Sequence, residues 1–581
     1  PPPPAKWRGR CDFNGGKRTC NNKLIGTQRS NDDVDLPWED AFHGSHTAST
    51  AAGSPVVGAN LFGQANGTAM GIAPRAHLAM YKLFREEGFP QDSKPSHAAI
   101  DDGVDVLSMS IGPDNPYPFF ENGGYVGAFR AIQKGIFVSC SAGNDGPSPY
   151  SVTNDVPWVL TVGASTIDRE IRATVKLGNG VELHGQSIFR PQVRHHQQRP
   201  LPILPAFCVP GTLNQIDVKG KIVVCRVGGA SFSDLAREVK DNGGAGMIVV
   251  NHVGRGYTTP AYASVVLPAS LLSYRDWMIL TDYLRSPAKR HTAKLAFQGT
   301  LIGGTNPSAP QLGSFSSRGP SLQSPGILKP DVIGPGIDIL AAWGASTDNA
   351  TENPFNVRSG TSTSCPHLSG VAALIKSAHP DWSPAAIKSA ILTTGYALDL
   401  RGNPISDEQN VTAAVFGVGA GHVDPSRALD PGLVYDIHPD DYIPYLCGLG
   451  YSDKHVTMIV QRKVSCGDVI PVPEAQLNYP TFSIRLGAGD RKTYTRTVTN
   501  VGPPRSTYSA VVRSLEEVGI AVTVVPSEIK FDEVNEKASY AVTFTRLDNI
   551  TRSTAVSRGS LVWSAADCGY TVVSTIAVVF L

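Results

Sequence analysis

No apolar run in this chain approaches the roughly 18 residues needed to cross a bilayer, and the C-terminal stretch 571–581 is too short and reads as a closing strand. Charge is scarce and balanced: Asp, Glu, Lys and Arg make up 17% of the residues and the net charge is +1. The basic residues are scattered, so no field exists to draw nucleic acid or an anionic membrane, and neither is expected as a partner. Cys-x-x-Cys and Cys-x-x-His sets are also missing. Structural zinc needs four close N or S ligands, so zinc is the weaker reading of the cysteines, and no metal or cofactor is expected.

What is present points to a large, turn-rich, secreted protein. The 581 residues exceed what one hydrophobic core supports, which predicts two or three domains, and 58 Gly with 44 Pro suit a compact chain with many turns. Nine cysteines include three near neighbours in sequence: Cys11 with Cys20, Cys208 with Cys225, and Cys447 with Cys466. These read as small disulfide loops. Cys140, Cys365 and Cys568 are left over, the first two in small or apolar settings that suit buried thiols. Sequons at Asn66, Asn349, Asn410 and Asn549 fit glycosylated surface loops, and with the disulfides favour an oxidising compartment. The run Pro1–Pro4, set directly against folded-looking sequence, leads us to expect that something precedes it.

Along the chain, apolar runs at 77–83, 104–111 and 136–140 alternate with a helical spacing at 125–134 that stops at Gly135. That is the βαβ pattern of a parallel sheet with helices on its faces, whose active sites lie at the carboxyl ends of the strands. The pattern returns near residue 310, with strand and turn at 332–342 and helices at 364–377 and 383–394. Between these halves, short strands at 220–227 and 246–251 flank a helix at 234–242, as in a small domain inserted through surface loops. From about residue 477 the style is all-β, with alternation such as Tyr540, Val542 and Phe544 and frequent turns, which predicts a β-sandwich.

Three segments carry candidate chemistry. In Ser359-Gly-Thr-Ser-Thr-Ser-Cys-Pro-His-Leu-Ser-Gly370, Ser362 stands at the mouth of a long apolar helix. A hydroxyl there is usually an N-cap, yet the helix start also suits a nucleophile, because its N–H groups stabilise charge developing on an attacked carbonyl. In Phe42-His-Gly-Ser-His-Thr-Ala-Ser-Thr50, histidines at i and i+3 open a helix of small residues. They lack the glutamate and third ligand of a zinc protease, and a packed core histidine is the commoner case. In Val138-Ser-Cys-Ser-Ala-Gly-Asn-Asp-Gly146, Asn144 ends an apolar strand and alone reads as a turn residue.

Together and in this order the three segments resemble the subtilisin-like serine peptidases, in their plant form. Trp7-Arg-Gly-Arg-Cys11, Cys20-Asn-Asn-Lys-Leu-Ile-Gly26, Gly71-Ile-Ala-Pro74, Phe315-Ser-Ser-Arg-Gly-Pro320 and Leu328-Lys-Pro-Asp331 look like further landmarks of that family. The resemblance implies an α/β fold: a discontinuous subtilisin-like peptidase domain at 1–180 and 308–440, a protease-associated insert at 181–307, and a fibronectin-III-like sandwich at 470–581. It implies His43 as general base, Asn144 as oxyanion donor and Ser362 as nucleophile of an endopeptidase, with His46 and His367 structural. Ser108, Ser110, Ile111 and Gly112 would line extended substrate. Protein or peptide substrates, an inhibitory prodomain and an extracellular setting in the apoplast or cell wall are implied as well.

The chain also departs from the family. The orienting acid of the family sits in Asp-Thr-Gly or Asp-Ser-Gly, and neither tripeptide occurs here, so the acid is expected to be absent from this chain together with the strand that carries it. Asp32, Asp33, Asp35 and Asp40, before His43, read as a solvated cluster rather than substitutes. The stretch Arg85–Pro95 stands where a longer helix is expected, Thr363 where Met is usual, and Phe42 where a small residue is usual.

Overall fold

The computed structural model describes residues 2–12, 19–29, 42–82, 94–113, 117–189, 198–201, 207–261, 266–287, 290–304, 306–344, 354–547 and 555–581. Asp32, Asp33, Asp35, Asp40, the stretch 85–93 and the sequons at Asn349 and Asn549 lie outside them.

Among the described residues, four parallel strands form the sheet beneath the site, in the order Val332–Pro335, Leu160–Ser165, Phe137–Ser141, Val106–Met109. The two central strands are buried throughout, which is why they read as unbroken apolar or small-residue runs rather than as alternation. Helices cover the faces. Gly123–Gln133 starts at Asn122, whose side chain accepts from the N–H groups of Gly124 and Tyr125, and the chain turns out of it at Gly135 with positive φ. Its Phe129 meets Trp158 edge-on, and Trp158 meets Tyr442 in the same way, so the aromatic core lies between helix and sheet. Leu24–Arg29 pairs in parallel with Leu78–Lys82 as a separate two-stranded sheet.

A second, mixed sheet joins strands from Glu170–Leu177 to Thr292–Leu301 and includes Ile222–Arg226, Gly246–Val250 and Ala269–Leu272. The helix Phe232–Asp241 is capped by Ser231, whose hydroxyl accepts from Asp234 N–H. Glu170–Leu177 pairs antiparallel with Thr292–Leu301. At the C-terminus, two sheets of four and five described strands form a sandwich around Tyr540, Val542, Phe544 and Trp563, matching the alternation in the sequence.

The disulfides Cys11–Cys20, Cys208–Cys225 and Cys447–Cys466 have Cα separations of 6.0, 5.6 and 5.6 Å. Cys140 and Cys365 are buried free thiols, and Cys568 is half-buried. No group of metal-ligating side chains and no helix long and apolar enough to span a membrane occurs among the described residues. Of the sequon residues within them, Asn66 and Asn410 are exposed.

Candidate active site

The helix Thr361–Ala378 starts at Gly360, not at Ser362 as the capping reading required, and Ser362 is its second residue. The helix is bolted to the carboxyl ends of the strands. Ser364 Oγ donates to Gly163 O at 2.8 Å, and Cys365 Sγ donates to Ser139 O at 3.3 Å. Pro366 lies inside the helix, so the carbonyl four residues earlier, that of Ser362, receives no helical N–H. Ser110 Oγ supplies the missing donor at 2.7 Å. Ser110 thus holds the backbone of Ser362, a role the sequence did not reveal.

Asn144 follows the buried strand Phe137–Ser141. Its Oδ1 accepts from the N–H of Thr361 at 2.9 Å and from the Thr361 hydroxyl at 3.0 Å. A backbone N–H can only donate, so Oδ1 is fixed on Thr361 and the NH₂ is the end turned away, as a donor. The loop carrying it is shaped from below: Ser317 N–H donates to Gly143 O at 3.1 Å, and Ser317 Oγ accepts from Asp145 N–H at 3.0 Å. Gly143 has φ +101°, and a Cβ there would stand 2.7 Å from Ser317 Oγ, so only glycine fits. The Phe315–Pro320 landmark therefore serves as the cradle of Asn144.

His43 opens the helix His43–Ala52 and is exposed. This helix packs along Thr361–Ala378. A Cβ on Gly370 would lie 2.8 Å from Ala51 O, and Ala51 and Gly370 are each eight residues past His43 and Ser362 respectively. His46, one turn into its helix, bonds the carbonyl of Ile339, which pairs with Arg358 two residues before Gly360, near the start of the serine helix rather than its end. The two helices therefore run side by side in the same direction, and their first turns, with His43 and Ser362, share one end of the sheet.

The other two histidines are neutral supports. His46 is buried, gives its Nε2–H to Ile339 O at 3.0 Å, and is pushed down to about 4, chiefly by burial. His367 is likewise pushed to about 4 by burial and gives Nδ1–H to Thr363 O at 2.8 Å.

The expected substrate strand ends the sheet beside these groups. Ser108 is exposed, with its Oγ 3.9 Å from Cys365 Sγ. Ile111 O accepts from Asn154 Nδ2 at 2.8 Å, and Asn154 Nδ2 also reaches Ser141 O at 2.8 Å. A Cβ on Gly112 would come within 2.7 Å of that same nitrogen. Asn154, buried and with φ 55°, thus fixes the end of the strand, and nothing in its local sequence signalled this.

The chain is similar to known proteins along nearly its whole length. The profile of the subtilase family matches residues 10–421, and that of a fibronectin type-III domain matches 476–578. Three subtilisin-like proteases of Arabidopsis thaliana are similar to it. SBT1.7 is 41% identical over 97% of this chain and 78% of its own length. SBT1.2 is 39% identical over 96% and 76%, and SBT1.5 is 40% identical over 97% and 78%. With a profile match across most of the chain and relatives of this closeness, the chain belongs to the subtilase family of serine peptidases.

Proposed function

We propose that the chain works as an endopeptidase through an acyl-enzyme. Ser362 attacks a peptide carbonyl, His43 takes the hydroxyl proton and returns it to the leaving amine, and the Asn144 amide with the Ser362 N–H holds the oxyanion. The observation that carries this reading is the pair of hydrogen bonds that Thr361 gives to Asn144 Oδ1, from its N–H and its hydroxyl, which turns the amide donor outward at the start of the serine helix. The positive end of that helix adds to the same field. Substrate lies extended along Ser108–Gly112, and residues 181–307 form a protease-associated insert. The protein is extracellular, glycosylated at Asn66 and Asn410, and held inactive by its own prodomain until release. Labelling with a fluorophosphonate tests the assignment: Ser362 is expected to be modified, and loss of labelling in Ser362→Ala with retention in Ser364→Ala supports it. Labelling that survives Ser362→Ala sinks it.

One observation favours a second reading of these 581 residues by themselves, a peptide-binding module without turnover: neither Asp-Thr-Gly nor Asp-Ser-Gly occurs among them. Removing that acid from a subtilisin, a member of this same family, costs about 3 × 10⁴ in kcat. Binding of a peptide aldehyde with no hydrolysis of the matching amide would favour this reading.

A further inference from the structure

We propose that Asp338 is a positioning residue for Ser362: one buried carboxylate ties the second sheet to the turn that presents the nucleophile. The inference rests on the peptidase reading of Ser362 and concerns how that serine is held.

Asp338 is buried at the start of the strand Ile339–Ala342, which pairs antiparallel with Phe355–Arg358; Ser359 and Gly360 then lead into the serine helix. From the connection that precedes the strand Ala269–Leu272, Ala261 N–H donates to Asp338 Oδ1 at 2.7 Å, and from the second sheet's strand Glu182–Gln186, Gln186 Nε2 donates to Oδ2 at 3.0 Å. From the serine turn, Ser359 Oγ accepts from Asp338 N–H at 2.9 Å and donates to Oδ1 at 3.3 Å. The next carbonyl, Ile339 O, accepts from His46 on the histidine helix. Two consecutive residues therefore touch the second sheet, the serine turn and the histidine helix.

The orientations leave little freedom. Gln186 Oε1 is taken by Ile171 N–H, and its Nε2 also donates to Thr259 O, so the amide cannot turn round to accept from Asp338. Ala261 offers a backbone N–H, which also only donates. Ser359 is the one partner able to reverse. A proton on Asp338 therefore goes to Oδ1, the oxygen facing Ser359, and reverses that bond, so that a charge-assisted contact becomes a weaker neutral one; the Ala261 N–H, which shares Oδ1, is weakened with it, while Gln186 keeps its bond to Oδ2. Protonation weakens the hold on the turn and spares the bond from Gln186.

The titration falls within a working range. Burial pushes Asp338 up to about 6, against the lowering effects of the Ala261 N–H, Arg169, Gln186 and Ser359. The charged and titratable groups around it are Arg169, which donates to Asp338 O, Arg358 on the paired strand and His46, pushed down to about 4 and so neutral across that range. The carboxylate form is thus the one that holds Ser359 more tightly, and it is lost as pH falls through about 6.

The test follows hydrogen exchange by mass spectrometry in the chain and in Asp338→Asn and Ser359→Ala, with the rate of fluorophosphonate labelling at Ser362 as a second readout. After correction for intrinsic rates, exchange at 355–365 should rise severalfold between pH 7.5 and pH 5 in the unaltered chain, while 332–335 stays protected. Asp338→Asn should show the pH 5 level at both pH values. Its labelling at Ser362 should be slower by roughly tenfold, the order expected when a reacting group loses its fixed position. Equal protection at both pH values in the unaltered chain overturns the proposal without need of any variant, as does unchanged labelling in Asp338→Asn. Absence of labelling in every protein overturns the peptidase reading, and with it the positioning role.

Discussion

Tyr479→Phe deletes a single oxygen at the seam between the peptidase sheet and the C-terminal sandwich. The Tyr479 ring is 1% exposed, and its hydroxyl donates to Asp331 Oδ1. The other carboxylate oxygen, Oδ2, accepts from Lys329 Nζ at 2.7 Å and from Thr161 N–H at 2.7 Å. Burial holds the Tyr479 hydroxyl far above its ordinary value, so it is a neutral donor at every working pH. Phenylalanine keeps the ring, including the face on which Lys388 Nζ rests 4.4 Å from the centroid, and removes only the donor. A hydrogen bond to a charged partner contributes about 1.5–3 kcal/mol, so the loss should be about 2 kcal/mol. Lys329→Met sets the upper comparison, because it strands a buried carboxylate without its cation and should cost about 3–5 kcal/mol. Urea unfolding followed by tryptophan fluorescence reads both sides of the seam, since Trp158 lies in the peptidase core and Trp563 in the sandwich. A loss below about 0.5 kcal/mol for Tyr479→Phe, the level of a surface substitution, would refute the reasoning, and so would a loss equal to that of Lys329→Met.

Asn144→Ala should lower kcat by about 10²–10³ with little change in KM, a magnitude known from a subtilisin and so carried over within the family rather than worked out afresh. Steady-state kinetics on a peptide amide give the split. Ser110→Ala leaves the Ser362 carbonyl without a donor, because Pro366 cannot supply one; a loss of about 1–3 kcal/mol is expected, while Ser110→Thr, which keeps the hydroxyl, should recover much of it. Thermal or urea unfolding of the two variants decides the point. On acidification, His46, His367 and His422, all pushed down to about 4 from an ordinary 6.5 by burial, bind protons in the unfolded chain first. Their stabilising contribution is complete above about 6.5 and is lost as pH falls towards 4. Asp338, raised from 3.8 to about 6, binds its proton first in the folded chain and offsets one of the three. From these four groups stability should fall by about 2.7 kcal/mol per pH unit between pH 6 and 4, and His46→Gln should lower that slope by about half.

What could be read from the sequence and what could not differ in one physical respect, the distance along the chain over which the information is spread. Asn144, His43 and Ser362 each stand in a short motif beside a strand or helix boundary; each motif alone carries an ordinary reading, and only their order along the chain singles them out. The alternation of Tyr540, Val542 and Phe544 needs nothing beyond its own strand to show a buried face. The strand Glu170–Leu177 has no signature of its own in the sequence, because the partner that fixes its sheet, Thr292–Leu301, lies more than a hundred residues away. Ser110 was read as lining substrate because its second duty depends on a proline in another helix, whose missing N–H has no signature at residue 110. Asp338 is the extreme case. Its partners stand at 186, 261 and 359, each of a residue type common in any loop, and no local pattern separates a buried carboxylate held by three donors from a solvated one. Desolvation makes the difference: a carboxylate withdrawn from water must be met by donors, so once the fold buries residue 338 the surrounding N–H and O–H groups are required to converge on it. Burial is a property of the whole chain, and such residues become visible only when the chain is folded.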